Sequence, residues 1–192
     1  MSEDVAANKA AFPSLLTGIT REGIAGLSAW LESSDFYTAP ASTRYHGAVQ
    51  GGLCGHSLRV YRELEKLMTL YEVPEITEES RRIAALFHDL CKVNFYAVEK
   101  RNRKNEDGRW ESYDAYTVDE KFRYGGHGSK SVYIVQSFMR LTPEEAIAIN
   151  CHMSSWDGDK YAGGAYEQHP FAWLLHVADE AATYIFETET ED

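Results

Sequence analysis

The chain has 192 residues and a mass of 21.7 kDa, which suits one compact domain rather than two full-sized ones. Hydrophobic residues make up 44% and charged residues 26%, the composition of a globular protein able to bury a core. With 19 Lys+Arg against 30 Asp+Glu the formal net charge is −11 and the pI near 5.1, so the chain as a whole repels nucleic-acid backbone and anionic membrane. The opening MSEDVAANKAAFPSLL has early acidic residues and no long apolar stretch, and no run approaches the roughly 18 apolar residues of a membrane span. Neither a secretory signal nor a transmembrane helix is expected. The three cysteines, Cys54, Cys91 and Cys151, are odd in number and lack CxxC spacing. That argues against a disulfide framework and for a reducing cytoplasm.

In chain order, Ala10 to Ile19 and Arg21 to Ser33 read as two short helices, the second with Ile24, Leu27, Trp30 and Leu31 on one side. From Ser34 to Gly52 the pattern breaks into SDFYTAPASTRYHGAVQGG, which reads as an ordered loop. A long helix is expected from about Leu53 to Tyr71, striped by Leu53, Val60, Leu64 and Leu67. Another starts after Thr77 as N-cap, with Glu78 and Glu79 in its first turn, and runs to about Leu90. FYAVEK and WESYDAYTV flank the turn signal NEDG, so a β-hairpin is expected over about 94–118. Gly125-Gly126 opens a helix through Arg140, and Thr142-Pro143-Glu144-Glu145 starts another that reaches about Met153. SSWDGDKYAGGAYEQ reads as a Gly-rich loop before a last helix from near Pro170 to about Glu187. The expected fold is all-α, a bundle of roughly seven helices with one inserted β-hairpin, in a single domain spanning residues 1–192 whose core covers about 51–186.

The informative residues are polar ones on apolar stripes. His56 lies between Leu53 and Val60, His88 follows Ala84 by four and abuts Asp89, His152 follows Ile149 and Ala148, and Asp179 follows Leu175. One buried histidine is usually just hydrogen-bonded. Several histidines and carboxylates on the buried faces of several helices call for a compensating cation, because an unpaired buried carboxylate costs several kcal/mol. A shared metal site is the expectation.

The segments GGLCGHSLRVY, AALFHDLCKV, YGGHGSKSVYI, AINCHM and WLLHVADEAA, in that order, resemble the HD-domain superfamily of metal-dependent enzymes. The resemblance covers about Gly51 to Tyr184. It implies one metal held by His56, His88, Asp89 and Asp179, and a second held by His127 and His152 with Asp89 bridging. HD-GYP cyclic-dinucleotide phosphodiesterases and myo-inositol oxygenase-like enzymes share this six-residue pattern. Imidazole and carboxylate ligands suit one or two divalent ions of Zn, Mn, Fe or Ni. Lys92 stands where a 5′-nucleotidase-like branch has Glu, which favours an HDxxK type, and no GYP signature is present. Small HD proteins of bacteria and their phages resemble this chain in the STRYHGA…GGL…HS opening, and the HD portion of a bacterial 3′–5′ exoribonuclease is similar across GGL-x-x-H, HDLxK, GH and the final AD.

Other residues admit two readings each. Lys92, one turn past Asp89, is either a phosphate contact or a solvated lysine at a helix end. Lys130 shares a face with His127 and is a phosphate contact or a surface residue. Arg44 offers a phosphate fork or a structural loop contact. His46 reads as a loop hydrogen-bonder, His176 as a partner of the site or a packing residue, and His169 as a helix-start residue. Trp156, beside Asp157, reads as a base-stacking wall or a packed aromatic. The basic cluster Lys100, Arg101, Arg103 and Lys104 reads as a solvated hairpin end or a polyphosphate or RNA contact, and the cysteines as small core residues.

Together these point to a metal-dependent phosphohydrolase of a nucleotide or other small phosphoester or phosphodiester, using a metal-activated water with Asp89 and Lys92 as catalytic residues. Arg44, Lys92, Lys130 and Trp156 are the expected substrate contacts, and short RNA is a lesser candidate partner. Two alternatives stay open: an HD-type di-iron oxygenase of a small organic substrate, and a nucleotide-binding or sequestering module, bacterial or phage-encoded.

Overall fold

A computed structural model describes residues 4–73, 76–154 and 162–187. Among them are eight α-helices and a two-stranded antiparallel sheet, and no helix is long and apolar enough to cross a membrane. Helix α1 spans Val5–Leu16 and starts well before the expected Ala10, because Asp4 Oδ1 accepts from Ala7 N at 2.9 Å and caps it. Helix α2 spans Ile24–Ser33.

The loop that follows is hydrogen-bonded and sends part of its length into the core, as its mixture of turn residues and aromatics suggests. Phe36, Tyr37, Ala39 and Ala41 enter the core, and Ala39 O and Thr38 O accept from Leu53 N and Gly51 N, both at 3.0 Å. The glycine pair that ends the loop has a steric cause. Gly51 has φ +79°, and a Cβ on Gly52 would stand 2.0 Å from Gly47 O. Only bare backbone lets the loop close this tightly onto the start of α3.

Helix α3 (Gly52–Tyr71) packs against α4 (Glu78–Phe87) and α8 (Pro170–Ala181), and α6 (Pro143–Cys151) packs against α4, α5 (His127–Gln136) and α8. Thr77 Oγ1 accepts from Ser80 N at 3.1 Å, the expected cap of α4, and Thr142 with Glu145 completes a reciprocal capping box at α6. Helix α4 stops at Phe87, short of Leu90. His88 ends it, Asp89 leaves helical geometry (φ −109°, ψ 21°), and a 3₁₀ turn follows over Leu90–Lys92. Helix α5 is likewise shorter than expected, ending where the Ser137 hydroxyl donates back to Tyr133 O.

Strands β1 (Tyr96–Lys104) and β2 (Trp110–Val118) pair antiparallel from Tyr96↔Val118 to Lys104↔Trp110 around the expected turn, where Gly108 has φ +75°. The basic residues of this hairpin are largely neutralised: Lys100, Arg101 and Arg103 lie 2.7, 2.6 and 2.6 Å from Asp114, Glu99 and Glu111. One helix was not expected. Helix α7 (Ala162–Gln168) falls in the Gly-rich segment, whose two glycines are poor helix formers. Tertiary contacts secure it: Tyr166 donates its hydroxyl to Cys151 O at 2.7 Å and stacks on His176. Beyond α8 the backbone widens into a π turn over Ala182–Phe186.

Candidate metal centre

Two of the site histidines use the same local device. His88 ends α4 and His152 ends α6, and an α-helix leaves its last four carbonyls without intrahelical partners. Each ring donates its Nδ1–H to the carbonyl three residues back: His88 to Ala85 O at 2.8 Å and His152 to Ile149 O at 2.7 Å. Each bond satisfies an orphan carbonyl and fixes the tautomer, so Nε2 of the neutral ring carries a lone pair turned toward the core. His56, the fifth residue of α3, turns its Nδ1 to Glu187 Oε2 at 3.0 Å and its Nε2 to Asp179 Oδ1 at 3.0 Å.

These atoms converge. His56 Nε2 and His88 Nε2 are 3.3 Å apart, and Asp89 Oδ2 lies 3.4 Å from His88 Nε2 and 3.7 Å from His56 Nε2. The other carboxylate oxygen, Asp89 Oδ1, faces His152 Nε2 at 3.6 Å. His56, His88 and Asp179 form one close trio, and His88, Asp89 and His152 a second, with all ligand atoms of a trio within 4.8 Å of one another. All five residues are buried. The donor set fits a divalent first-row ion. Without a cation, either His56 carries a second proton between its two carboxylates or its Nε2 opposes that of His88 lone pair to lone pair, and His152 Nε2 is buried with no hydrogen-bond partner. A cation among these atoms relieves both defects.

The electrostatics agree. Burial disfavours a charged His56, yet the Glu187 and Asp179 carboxylates raise it to about 10. Burial would likewise raise both aspartates, but Lys92 and His88 hold Asp89 well below the usual carboxylate range, and His56 does the same for Asp179. The pocket is built for ionised carboxylates beside positive charge.

The remaining expected residues divide. Lys92 is not solvated: its ammonium lies 2.6 Å from Asp89 Oδ2 and its side chain is 7% exposed. Lys130 is also buried, paired with Glu120 at 2.9 Å and set over the Phe95 ring. His127, the first residue of α5, is half-buried and joins neither convergent trio; its Nδ1 is buried without a hydrogen-bond partner and its ring stands 6.4 Å from Phe95. Arg44 is exposed and donates to the Tyr45 hydroxyl at 3.0 Å. Trp156 and Asp157 lie outside the described residues. His176 Nδ1 donates to His152 O at 2.7 Å, and His169, just before α8, pairs with Glu144 at 2.7 Å. Cys91 lies 3.8 Å from Asp89 Oδ1, but burial pushes its thiol up to about 12, so it is a neutral packing group.

Two neighbours were not legible as site residues. Glu187 read only as the end of the last helix. His46 read as a loop residue, yet its ring lies 4.9 Å from that of His56, its Nε2 is buried without a hydrogen-bond partner, and burial lowers it to about 4. The available signal was weak: a histidine in an aromatic-rich loop directly before the helix of the first ligand.

Fold and site together define a helical bundle organised around a buried imidazole–carboxylate centre for a divalent metal. The family model described as the HD domain matches residues 53–184, and the chain belongs to that family. It is also 27% identical over 150 residues to the dihydroneopterin 2′,3′-cyclic phosphate phosphodiesterase of Methanocaldococcus jannaschii. That match covers 77% of this chain and 52% of the relative, so the chain spans about half the length of the curated relative. No solved structure matches the chain significantly.

Proposed function

We propose that the protein is a metal-dependent phosphohydrolase that cleaves a small phosphoester or phosphodiester carrying a heteroaromatic ring, a nucleotide or a related cyclic phosphate. The observation that carries this reading is the convergence of the Nε2 atoms of His56, His88 and His152, the last two fixed in tautomer by helix carbonyls, on the ionised Asp89 and Asp179. A divalent ion held by these residues supplies a Lewis acid for a phosphoryl oxygen and a water of lowered pKa. The net reaction adds water across one P–O ester bond: hydroxyl joins phosphorus, and the proton leaves with the ester oxygen. Lys92, fixed against Asp89, neutralises charge that grows on the phosphoryl oxygens, and Asp89 holds that ammonium in place.

The neighbourhood supports a ring-bearing substrate. Tyr96 feels the Lys92 charge and touches Phe95, and Lys130 lies 5.0 Å over Phe95 and 5.7 Å over Phe122. Phe122, Tyr124 and Tyr133 then lie with centroids 4.6–6.1 Å apart, each ring residue 45% exposed. Aromatic faces of this kind stack bases or pterins, worth about 1–3 kcal/mol per base. The curated relative is named for a pterin-bearing cyclic phosphate. The neutralised hairpin cations argue against extended RNA as the substrate.

Opening a cyclic phosphodiester yields a monoester and no inorganic phosphate, so the decisive readout is ³¹P NMR of the metal-reconstituted protein. The panel is mononucleotides, nucleoside 2′,3′-cyclic phosphates, cyclic dinucleotides and short RNA. A new monoester or phosphate resonance with a small substrate is the expected result. Metal-loaded protein inert on the whole panel overturns the reading, and oxygen uptake with an organic substrate assigns the centre to the di-iron alternative.

A further inference from the structure

We propose that Glu187 is a positioning residue of the metal centre: its carboxylate holds the Nδ1–H of His56 and so presents Nε2 to the metal. The proposal rests on the metal-centre reading above.

The argument starts from the backbone. His88 and His152 orient themselves on carbonyls of their own helices because each ends its helix, where those carbonyls are free. His56 has no such recourse. It sits inside α3, whose carbonyls one turn back are already engaged, and Leu53 O accepts the Ser57 hydroxyl as well. Its ring needs an acceptor from another element, and Glu187 Oε2 at 3.0 Å is that acceptor. The opposite edge of the same ring faces Asp179 Oδ1 at 3.0 Å, so the imidazole is clamped between two carboxylates.

Glu187 is itself held. Its side chain is 4% exposed, its Oε1 lies 3.2 Å from Arg59 Nε, and the Arg59 guanidinium covers the Phe186 ring at 5.6 Å. The carboxylate reaches His56 because α8 does not end as an α-helix. Over Ala182–Phe186 the chain widens to π geometry, and Glu187 N donates to Ala182 O at 3.1 Å. Glu187 also lies beyond residues 53–184, so the family match does not account for it.

His46, His56 and Glu187 bring ligand atoms within 4.8 Å of one another, which raises the rival reading of a separate cation site. Two features oppose it. The Arg59 guanidinium already places a positive charge against Glu187, and the Nδ1 proton of His56 fills the space between ring and carboxylate. The cluster is the outer support of the centre rather than another one.

The test uses full-length protein and the affinities of Zn(II) and Co(II), measured by competition with a chelator, with the Co(II) absorption spectrum and the metal-free melting temperature recorded alongside. Glu187→Ala is expected to weaken both metals about 10–100-fold and to change the Co(II) spectrum. Glu187→Gln keeps an acceptor without the charge and should recover part of that loss, with a metal-free melting temperature near wild type. Unchanged affinity in both variants overturns the role of Glu187. So does a loss that merely tracks a fall in metal-free stability. If wild type binds neither ion, the metal-centre reading itself fails, and Asp179→Ala, which should abolish binding, is the control that separates the two failures.

Discussion

A lysine ammonium buried against a carboxylate, as Lys92 is against Asp89, is costly unless both charges serve the site, since breaking a buried pair by removing one partner leaves an uncompensated charge worth about 3–5 kcal/mol. A metal bound at the proposed site would change that balance, because Asp89 would keep positive charge on its other side. Lys92→Ala is therefore expected to retain metal while turnover on the phosphoester falls about 10²–10³-fold, the loss seen when one charge-stabilising donor is removed. Metal analysis beside kcat checks it, and an unchanged kcat removes Lys92 from the chemistry. Asp89 meets His56 and His88 through Oδ2 and His152 through Oδ1, so Asp89→Ala should lose most of the bound metal, measured by elemental analysis after reconstitution. His127 and His152 separate at this scale too. His152 belongs to a convergent trio and His127 does not, so His152→Ala should lower metal content more than His127→Ala. Equal losses would restore the paired role that sequence order suggests for them.

At the scale of elements, glycines decide how closely helices approach. A Cβ on Gly128 in α5 would stand 2.1 Å from Asn150 O and 2.7 Å from Ile149 O, both backbone atoms of α6. Gly128→Ala must push the two helices apart, an overpacking cost of about 1–3 kcal/mol in urea denaturation. Because Ile149 O also orients His152, the same variant should weaken metal binding. Gly163 in α7 has open space where its Cβ would sit, so Gly163→Ala should be neutral or stabilise by up to about 1 kcal/mol. If Gly128→Ala is as stable as Gly163→Ala, the close approach of α5 and α6 carries no energetic weight. Helix starts with a threonine cap were legible, since Thr77 and Thr142 cap where their side chains predict, whereas α1 starts at Val5 and α2 at Ile24, away from the expected Ala10 and Arg21. The ends of α2 and α3 fall at the expected Ser33 and Tyr71, but α4, α5 and α8 stop early where local or tertiary partners claim the backbone, at His88, Ser137 and the π turn.

For the molecule as a whole, a metal held at the buried site would couple its binding to folding. The proposed ligands come from α3, α8 and the ends of α4 and α6, so the unfolded chain has no preformed site and a bound metal would favour the native state. At a free metal concentration of about 100 Kd the stabilisation is about 2.7 kcal/mol. For a chain of this size that corresponds to a melting temperature about 5–11 °C higher. Scanning calorimetry before and after chelation, with metal loss confirmed, should show that fall, and re-addition should reverse it. An unchanged melting curve would mean that the carboxylates are compensated without metal.

Residue types and their order determined much on their own. Histidine and aspartate on apolar helical stripes demand compensation wherever they are buried, so His56, His88, His152 and Asp179 were marked by periodicity and Asp89 by its place beside His88, and the order of their segments carried the resemblance to the HD superfamily. What the sequence could not settle was direction and distance. Whether His127 reaches the centre depends on where α5 begins relative to α6, and whether Lys92 meets solvent depends on the 3₁₀ turn after Asp89. Glu187 carried no local signal, since it lies 131 residues from the ring it touches. Spacing along a helix reports which face a residue shares; only the packing of α3 against the end of α8 decides which distant carboxylate meets that face.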